Sequence, residues 1–328
     1  MTPRLPMVPA RAPTLTHRLV LAMLLLLGAL MPAAHATSWP AKPLNLLVGF
    51  SPGGGADTLA RLVARQLSME LGQPVTVRNV AGGGGIVMAT TLSQAEPDGY
   101  TIGLAANSAF DGMPAITPLR YQTDDFDYLT TVSQLQNALI ASGNAPFASW
   151  DEMLAYGREH GLSYGSPSPI TRDVLNLIAE REGIRIRFIP MRGGMDVINS
   201  LIGGHIDIAW SAGVHQAFLR DGKIRVLASL NEERLRASPG KPAIQELGYP
   251  MGYSSYFVLA APAGLPAEIK QRLSAALVKA SQSPRVAQLA EQRMGFPNVV
   301  MTPDEITRFV QRTAEGYRRQ AAPDPTAN

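Results

Sequence analysis

The fold is decided by residues 44–67, which read LNLLVGFSPGGGADTLARLVARQL. The first residues form an apolar run typical of a buried strand, whereas Leu59, Val63 and Leu67 have the spacing of an amphipathic helix. Three glycines lie between the two patterns. A helix that begins there offers unpaired amides and a partial positive charge, and glycine lets an anion approach them closely. The stretch therefore predicts either a strand, an anion-binding turn and a helix, or a tight turn alone.

Similar alternation of apolar and helical patterns continues along the chain and predicts βαβ units with parallel sheets. We expect strands at residues 44–50, 75–80, 100–106, 185–189, 206–210 and 225–230. The chain is expected to leave one unit and return to it. The predicted fold is α/β with two lobes, each a mostly parallel sheet flanked by helices, joined by crossing connections that act as a hinge. Residues 37–138 and 251–328 are assigned to lobe 1, and residues 139–250 to lobe 2.

The first 36 residues are predicted to be a secretory signal peptide. Three arginines precede an apolar run at residues 19–31, and Ala-His-Ala follows at 34–36. An uncleaved anchor is the alternative, but the apolar run is shorter than the roughly 20 residues of a spanning helix. We therefore expect a periplasmic protein, released by cleavage after Ala36.

Composition excludes several classes of protein. Removing the three leader arginines from 29 basic residues leaves 26, equal to the 26 acidic residues. A neutral mature chain argues against a nucleic-acid partner, which would select a basic face. The chain has no cysteine, so disulfides, thiol catalysis and cysteine-bound zinc are excluded.

Cofactor motifs are missing as well. The glycines at 53–55 would need a third glycine where Thr58 stands to form a dinucleotide fingerprint, and there is no P-loop. The histidines at 160, 205 and 215 lack metal-ligand spacing. We expect no cofactor, no metal and no catalysis.

At the level of motifs, the mature chain resembles the periplasmic substrate-binding proteins of tripartite tricarboxylate transporters, the Bug or TctC-like family. The resemblance rests on WPAKPLNLLVGFSPGGGADTLARLVARQLSMELGQPVTVRN at 39–79, GGGGI at 82–86, AEPDGYTIGLAAN at 95–107 and FIPMRGGMDVINSLIGGHIDIAW at 188–210. It implies a two-lobed periplasmic-binding-protein-like fold that closes on a small carboxylate, held by backbone amides and small polar side chains.

By position, the resemblance implies ligand contacts in both lobes. In lobe 1, Asp57 has an alternative role, pairing with the helix dipole, and the two residues after the third strand have turn formation as theirs. The implied lobe 1 residues are Phe50, Ser51, Pro52, Gly53, Gly54, Asp57, Gly84, Asn107 and Ser108.

In lobe 2 the sequence departs from its relatives, because prolines and an arginine occupy a loop that usually carries Gly, Ser, Thr and a His. Arg172 could grip a carboxylate with two hydrogen bonds, or could face Asp173 at the surface. Arg192 could be a solvated rim charge, Asp207 could hold a loop, and Trp210 could fill the core. The implied lobe 2 residues are Ser166, Ser168, Thr171, Arg172, Asp173, Arg192, Asp207 and Trp210.

The sequence thus predicts a monomeric, non-enzymatic solute-binding protein that captures a dicarboxylate, aliphatic or aromatic, for the membrane subunits of a tripartite tricarboxylate-type transporter. Two alternatives stay open. One is a binding protein that reports its ligand to a signalling receptor, and the other is an exported α/β enzyme, which would need an acid–base pair in the cleft.

Overall fold

The protein folds around two five-stranded sheets in a computed structural model that describes residues 39–167, 171–250, 252 and 254–321, with only the backbone of residues 320 and 321. The predicted signal peptide and Ser168 lie outside these residues. No helix in the described part of the chain is long and apolar enough to cross a membrane.

The first sheet forms the core of the unit that we call the first lobe. Its strand order is β2-β1-β3-β10-β4, where β1 is Leu44–Val48, β2 Val75–Asn79, β3 Thr101–Ala106, β4 Phe126–Gln134 and β10 Tyr256–Pro262. Helices of this lobe are α1 (Gly55–Leu71), α2 (Ile86–Ser93), α3 (Gly112–Ile116), α8 (Ala267–Ser281), α9 (Pro284–Gln288) and α10 (Pro303–Ala321). The strands β2, β1 and β3 are parallel, and β10 is antiparallel to both of its neighbours.

The second sheet forms the core of the second lobe. Its order is β7-β6-β8-β5-β9, where β5 is Ala138–Ser142, β6 Leu162–Ser166, β7 Ile186–Pro190, β8 Ile208–Ser211 and β9 Ile224–Ser229. Its helices are α4 (Trp150–His160), α5 (Thr171–Glu182), α6 (Gly194–Ile202) and α7 (Gln216–Leu219). Here β7, β6 and β8 are parallel, and β5 runs antiparallel between β8 and β9.

The two sheets share one plan, in which four strands point one way and the fourth in spatial order is reversed. The reversed strand is in each case the one that the chain enters after crossing from the other sheet, β5 after β4 and β10 after β9. This arrangement confirms the predicted α/β fold with two mostly parallel sheets and crossing connections. The residue boundaries of the lobes stay a prediction.

The helix α1 follows from the pattern that predicts it. Leu59, Val63 and Leu67 are buried on one face, and this stripe stabilises the helix because it removes apolar surface from water. Gly72 ends the helix in the left-handed conformation, with φ of 71°, and its amide donates to the Ser68 carbonyl.

Six of the strands agree with the sequence prediction, and four were not predicted. The strand β6 is short, and its sequence LSYGS does not show a clean apolar run. In β4, Thr130 and Thr131 are buried and donate their hydroxyl protons to the Met301 and Val299 carbonyls. Buried polar residues whose hydrogen bonds come from a distant segment interrupt the apolar pattern, so a buried strand that contains them is not recognised from hydrophobic periodicity.

Candidate functional site

The start of α1 presents unpaired amides at the carboxyl end of β1. Gly54 caps the helix in an extended conformation without a side-chain hydrogen bond. Within the described chain, no group accepts a hydrogen bond from the Gly55 or Ala56 amide. These amides and the positive end of the helix dipole form the anion-binding feature that the sequence predicts.

Asp57 holds this loop in place through hydrogen bonds within its own lobe. The residue is 4 % exposed, and its carboxylate accepts from the Gly53 amide at 3.0 Å, from Arg61, and from Asn79 Nδ2 at 2.9 Å. The same Asn79 nitrogen donates to the Phe50 carbonyl. Burial opposes ionisation of Asp57, but the hydrogen bonds from Arg61, Gly53 and Asn79 outweigh it, so the pKa of this carboxyl lies below its ordinary value.

A second helix start, that of α6, lies opposite in the other lobe. Gly193 caps α6, and the Arg192 amide donates to Asp196 Oδ2 at 3.0 Å. The Gly194 and Met195 amides have no acceptor among the described residues. The second lobe therefore has the same arrangement as the first: glycines precede a helix whose first amides have no acceptor among the described residues.

Both helix starts line one pocket between the lobes. It is bounded by Gly54, Gly55 and Ala56 from α1, by Gly194 from α6 and by Val214 between them. A Cβ built on Gly55 would lie 3.2 Å from Val214 Cγ2, and one on Gly194 3.3 Å from the same atom. The two glycines thus let helices from opposite lobes approach a single point, which we call the amide pocket.

Aromatic side chains form the walls of the amide pocket. The predicted residues Phe50 and Trp210 line it together with Phe257 and Phe296. Phe257 packs edge-on against both other phenylalanines, with ring centroids 6.1 Å from Phe50 and 5.8 Å from Phe296. Trp210 donates from Nε1 to Asn137 Oδ1 at 2.9 Å, which fixes its ring where β4 crosses to β5.

A second pocket, which we call the arginine pocket, lies at the ends of β6 and β7. Its polar lining comes from Ser166, Tyr164 and Arg172, and Gly83 of the first lobe reaches its edge. The Arg172 guanidinium lies 5.6 Å from the centre of the Phe188 ring. Arg172 is exposed and forms no ion pair with Asp173 or any other described acid, so the surface-pair interpretation is not what the structure shows.

The Gly82–Gly85 segment differs from the other glycine loops. Its Gly82 carbonyl accepts the Gly85 amide at 3.0 Å and the Val87 amide at 3.4 Å. The first amides of α2 are therefore used within the loop. Gly84 is buried with φ of 69°, and its neighbour Gly83 is the residue at the arginine pocket.

Asn107 connects β3 to β10 through hydrogen bonds that occupy its side chain. Its Nδ2 donates to Asp111 Oδ2 at 2.8 Å, and its Oδ1 accepts the Tyr256 amide at 2.8 Å. Asp111 is fully buried, and this burial raises the pKa of its carboxyl to about 7. The neighbouring Ser108 is half-buried, and its hydroxyl makes no hydrogen bond to any described residue.

The remaining predicted residues are spread more widely. Thr171 is buried and donates to Ser166 Oγ at 2.9 Å, whereas Pro52 and Asp173 are exposed. Asp207 lies just before β8, although the predicted strand at 206–210 included it. Its carboxylate accepts the Ser163 amide at 2.7 Å, at the amino end of β6 and away from both pockets.

One serine and one histidine near the amide pocket are close enough to form a nucleophile–base pair. His215 Nδ1 lies 2.9 Å from Oγ of Ser211, a pocket residue. Complete burial lowers the pKa of His215 to about 3, which makes the imidazole a weak base, and its Nε2 meets no described partner. This pair lacks the third group that orients a catalytic histidine.

Sequence reasoning missed Tyr164, Phe188, Val214 and Phe296. Tyr164 and Phe188 are paired residues of adjacent strands. An alternation of apolar and polar residues around Tyr164 was the only sequence signal that could have placed Tyr164 in a strand. Phe296 comes from the segment after α9, more than eighty residues from any residue of the second lobe's pocket walls, and no local pattern could have placed it.

Comparison with known proteins identifies the family. The sequence profile described as "Tripartite tricarboxylate transporter family receptor" matches residues 59–320. The chain belongs to this receptor family. Protein BugT of Bordetella pertussis is 31 % identical over 288 residues, covering 84 % of this chain and 87 % of BugT.

Solved structures of similar proteins share the receptor's fold. The periplasmic binding protein BugD superposes with a TM-score of 0.79 at 23 % identity, covering 86 % of this chain and 97 % of BugD. MatC from Rhodopseudomonas palustris, solved with bound malate, gives a TM-score of 0.78 at 23 % identity and covers 87 % of this chain and all 100 % of MatC. These likenesses confirm the periplasmic-binding-protein-like fold of this receptor.

Proposed function

We propose that this receptor is a periplasmic solute-binding protein that captures a small carboxylate and delivers it to the membrane subunits of a tripartite tricarboxylate-type transporter. The observation that carries the proposal is the convergence of the α1 and α6 starts on the amide pocket. Each start contributes free amides and the positive end of a helix dipole. A carboxylate between them is held by both lobes at once.

The ligand is proposed to be a dicarboxylate. Arg172 supplies a guanidinium without an acid partner in the described chain, at a pocket to which both lobes contribute. A second carboxylate would give this guanidinium a planar, bidentate partner. MatC holds malate, a dicarboxylate, in the same fold, and malate is therefore a reasonable first probe for this receptor.

Ligand entry requires the lobes to separate. The amide pocket has a volume of only about 30 Å³ and the arginine pocket about 60 Å³, and loops of the two lobes touch between them. An open form would expose both helix starts, and a ligand that contacts both would favour the closed form by its differential affinity. The closed form would then be the one that the membrane subunits recognise.

Binding without chemistry is the role that the site supports. Amides, aromatic rings and one arginine provide recognition, and the Ser211–His215 pair has a histidine with a pKa of about 3. Export by the signal peptide at residues 1–36 and a monomeric state complete the proposal. Mass spectrometry of the mature periplasmic protein, and its elution volume, test these two points.

A thermal-shift screen over organic acids tests the proposed function. A ligand at a hundredfold excess over its Kd adds about 2.7 kcal/mol to the free energy of unfolding. We expect malate, succinate or longer dicarboxylates to raise the melting temperature, and matched neutral amides and sugars to leave it unchanged. Stabilisation by the neutral compounds alone would contradict the proposal, and a ligand recovered in altered form would show an enzyme instead.

A further inference from the structure

One buried hydroxyl of the second lobe has no well-formed hydrogen bond. Tyr164 is 1 % exposed; the Ser166 and Thr171 hydroxyls are close enough to its Oη to act on it as weak donors, but no described group meets full hydrogen-bond geometry with it or accepts its proton. Most buried polar atoms are paired, because an unpaired one costs about 1–3 kcal/mol. This hydroxyl is therefore available to a group that enters from outside the protein.

Its position is in the wall of the arginine pocket. Tyr164 and Arg172 both line that pocket, and the charge of Arg172 acts on the phenol, favouring its ionised form. Tyr164 pairs with Phe188 in the neighbouring strand, with ring centroids 5.8 Å apart in an edge-to-face arrangement. The strand pairing and the ring contact hold the phenol against the Phe188 ring, and the Arg172 guanidinium lies over that same ring.

The chemistry of the two groups restricts what can lie between them. An arginine only donates hydrogen bonds. Burial raises the pKa of Tyr164 far above its ordinary value and outweighs the influence of Arg172, so the phenol keeps its proton and can donate it. A group that satisfies both must accept two hydrogen bonds and is favoured by negative charge, which describes a carboxylate and excludes an ammonium group.

We propose that the Tyr164 hydroxyl is a specificity-determining ligand donor, which together with Arg172 holds the second carboxylate of a dicarboxylate. This assignment rests on the proposed function and names a residue of the same site. A hydrogen-bond donor that is already positioned and desolvated favours a ligand that carries an acceptor at that point. It disfavours an analogue without the acceptor, because the donor then stays unpaired. The arginine pocket should therefore distinguish a dicarboxylate from the monocarboxylate of equal length.

The variant Tyr164→Phe tests the assignment, since it removes one oxygen and keeps the ring. The probes are succinate, glutarate and adipate, with hexanoate as the monocarboxylate of six carbons, measured by calorimetry on the full mature protein. We expect the Kd of the tightest dicarboxylate to rise about tenfold and that of hexanoate to change less than twofold. The melting temperature without ligand should stay equal or rise, because an unpaired buried polar atom has been removed.

A matched control is Tyr128→Phe. The Tyr128 hydroxyl is buried in the first lobe and donates to the Thr123 carbonyl at 2.6 Å. Its loss should lower the melting temperature and leave every Kd unchanged, the opposite of the result expected for Tyr164.

Four outcomes would overturn the assignment. An unchanged dicarboxylate Kd in Tyr164→Phe, or an equal loss for adipate and hexanoate, would leave the proposed function standing without Tyr164. A lower melting temperature without ligand would show that the hydroxyl has a structural partner. If the unsubstituted protein binds none of the dicarboxylates, the assignment fails; the proposed function fails with it only if the thermal-shift screen finds no carboxylate that binds.

Discussion

Ser51 and Arg192 meet across the cleft, where the Ser51 hydroxyl donates a hydrogen bond to the Arg192 carbonyl over 3.2 Å. The two residues belong to the loops that enter α1 and α6, so the contact joins the helix starts that form the amide pocket. Gly193 lies against the same serine: a Cβ on it would be 3.3 Å from the Ser51 amide nitrogen. Its φ of 173° is extended, so proximity to the other lobe, not backbone conformation, favours glycine here.

Gly193→Ala should hinder closure without unfolding either lobe. The added methyl would separate the loops by a few tenths of an ångström, because contacts below about 3.4 Å are repulsive for carbon. We expect a roughly tenfold higher Kd for the carboxylate found in the screen, and a change in unfolding free energy below about 1 kcal/mol. Calorimetry and chemical denaturation measure the two quantities.

The control for that substitution is Gly240→Ala, at a glycine with no atom within 4 Å of an added Cβ. It should leave the Kd unchanged. Equal Kd values for the two variants would show that closure does not depend on the contact between Ser51 and Gly193.

Arg172→Gln should weaken a dicarboxylate by at least about tenfold and its monocarboxylate analogue far less. Arg172 is exposed and without a described ion pair, and its contact with the Phe188 ring is worth at most about 1 kcal/mol at an exposed site, so the substitution should change stability little. The matched variant is Arg192→Gln, because the described polar contacts of Arg192 come from its main chain, through its amide and its carbonyl. Equal losses for mono- and dicarboxylates in Arg172→Gln would refute the role of this arginine.

Asp57→Asn should lower stability at neutral pH by about 1–3 kcal/mol, since the buried carboxylate accepts from Gly53, Arg61 and Asn79. The folded pKa of Asp57 lies below its unfolded value. Its stabilisation is therefore complete above an unfolded pKa of about 4 and is lost as the pH falls through the folded pKa. Denaturation between pH 3 and 7 should show a smaller acid loss in the variant than in the unsubstituted protein.

A suitable control for this pH profile is Asp221→Asn, since Asp221 is exposed and has no described ion pair or hydrogen bond. Its profile should follow that of the unsubstituted protein. If Asp57→Asn follows it too, the network does not stabilise the fold.

Asp111→Asn should also reduce the pH dependence of the unfolding free energy, but Asp111 acts with the opposite sign to Asp57. Burial raises the folded pKa of Asp111 to about 7, so its favourable contribution is complete below an unfolded pKa of about 4 and is lost as the pH rises to 7. The full effect is on the order of 4 kcal/mol. Unfolding free energies at pH 5 and 8 should differ less in this variant than in the exposed-site control Asp124→Asn. An identical difference would show that Asp111 is ionised in both states.

The local sequence pattern was sufficient to predict a strand or helix wherever the segment shows its own hydrophobic periodicity. The apolar run before Gly53 and the Leu59–Val63–Leu67 stripe predict β1 and α1 because burial periodicity is local. The same reasoning could not find β4, whose buried threonines are satisfied by carbonyls about 170 positions away. It also began β8 two residues too early, at 206, since a strand's bounds depend on its neighbours.

The amino-acid sequence by itself determined the fold class, the family and the presence of glycine-entered helices, because strand and helix periodicity, turn residues and motifs are written in consecutive residues. Only the tertiary structure decided which helix starts face each other, that Gly82–Gly85 uses its amides internally, and that Tyr164 stands beside Arg172. Those relations depend on packing between segments far apart in the chain, and free energy of packing is a property of the assembled lobes rather than of any one stretch.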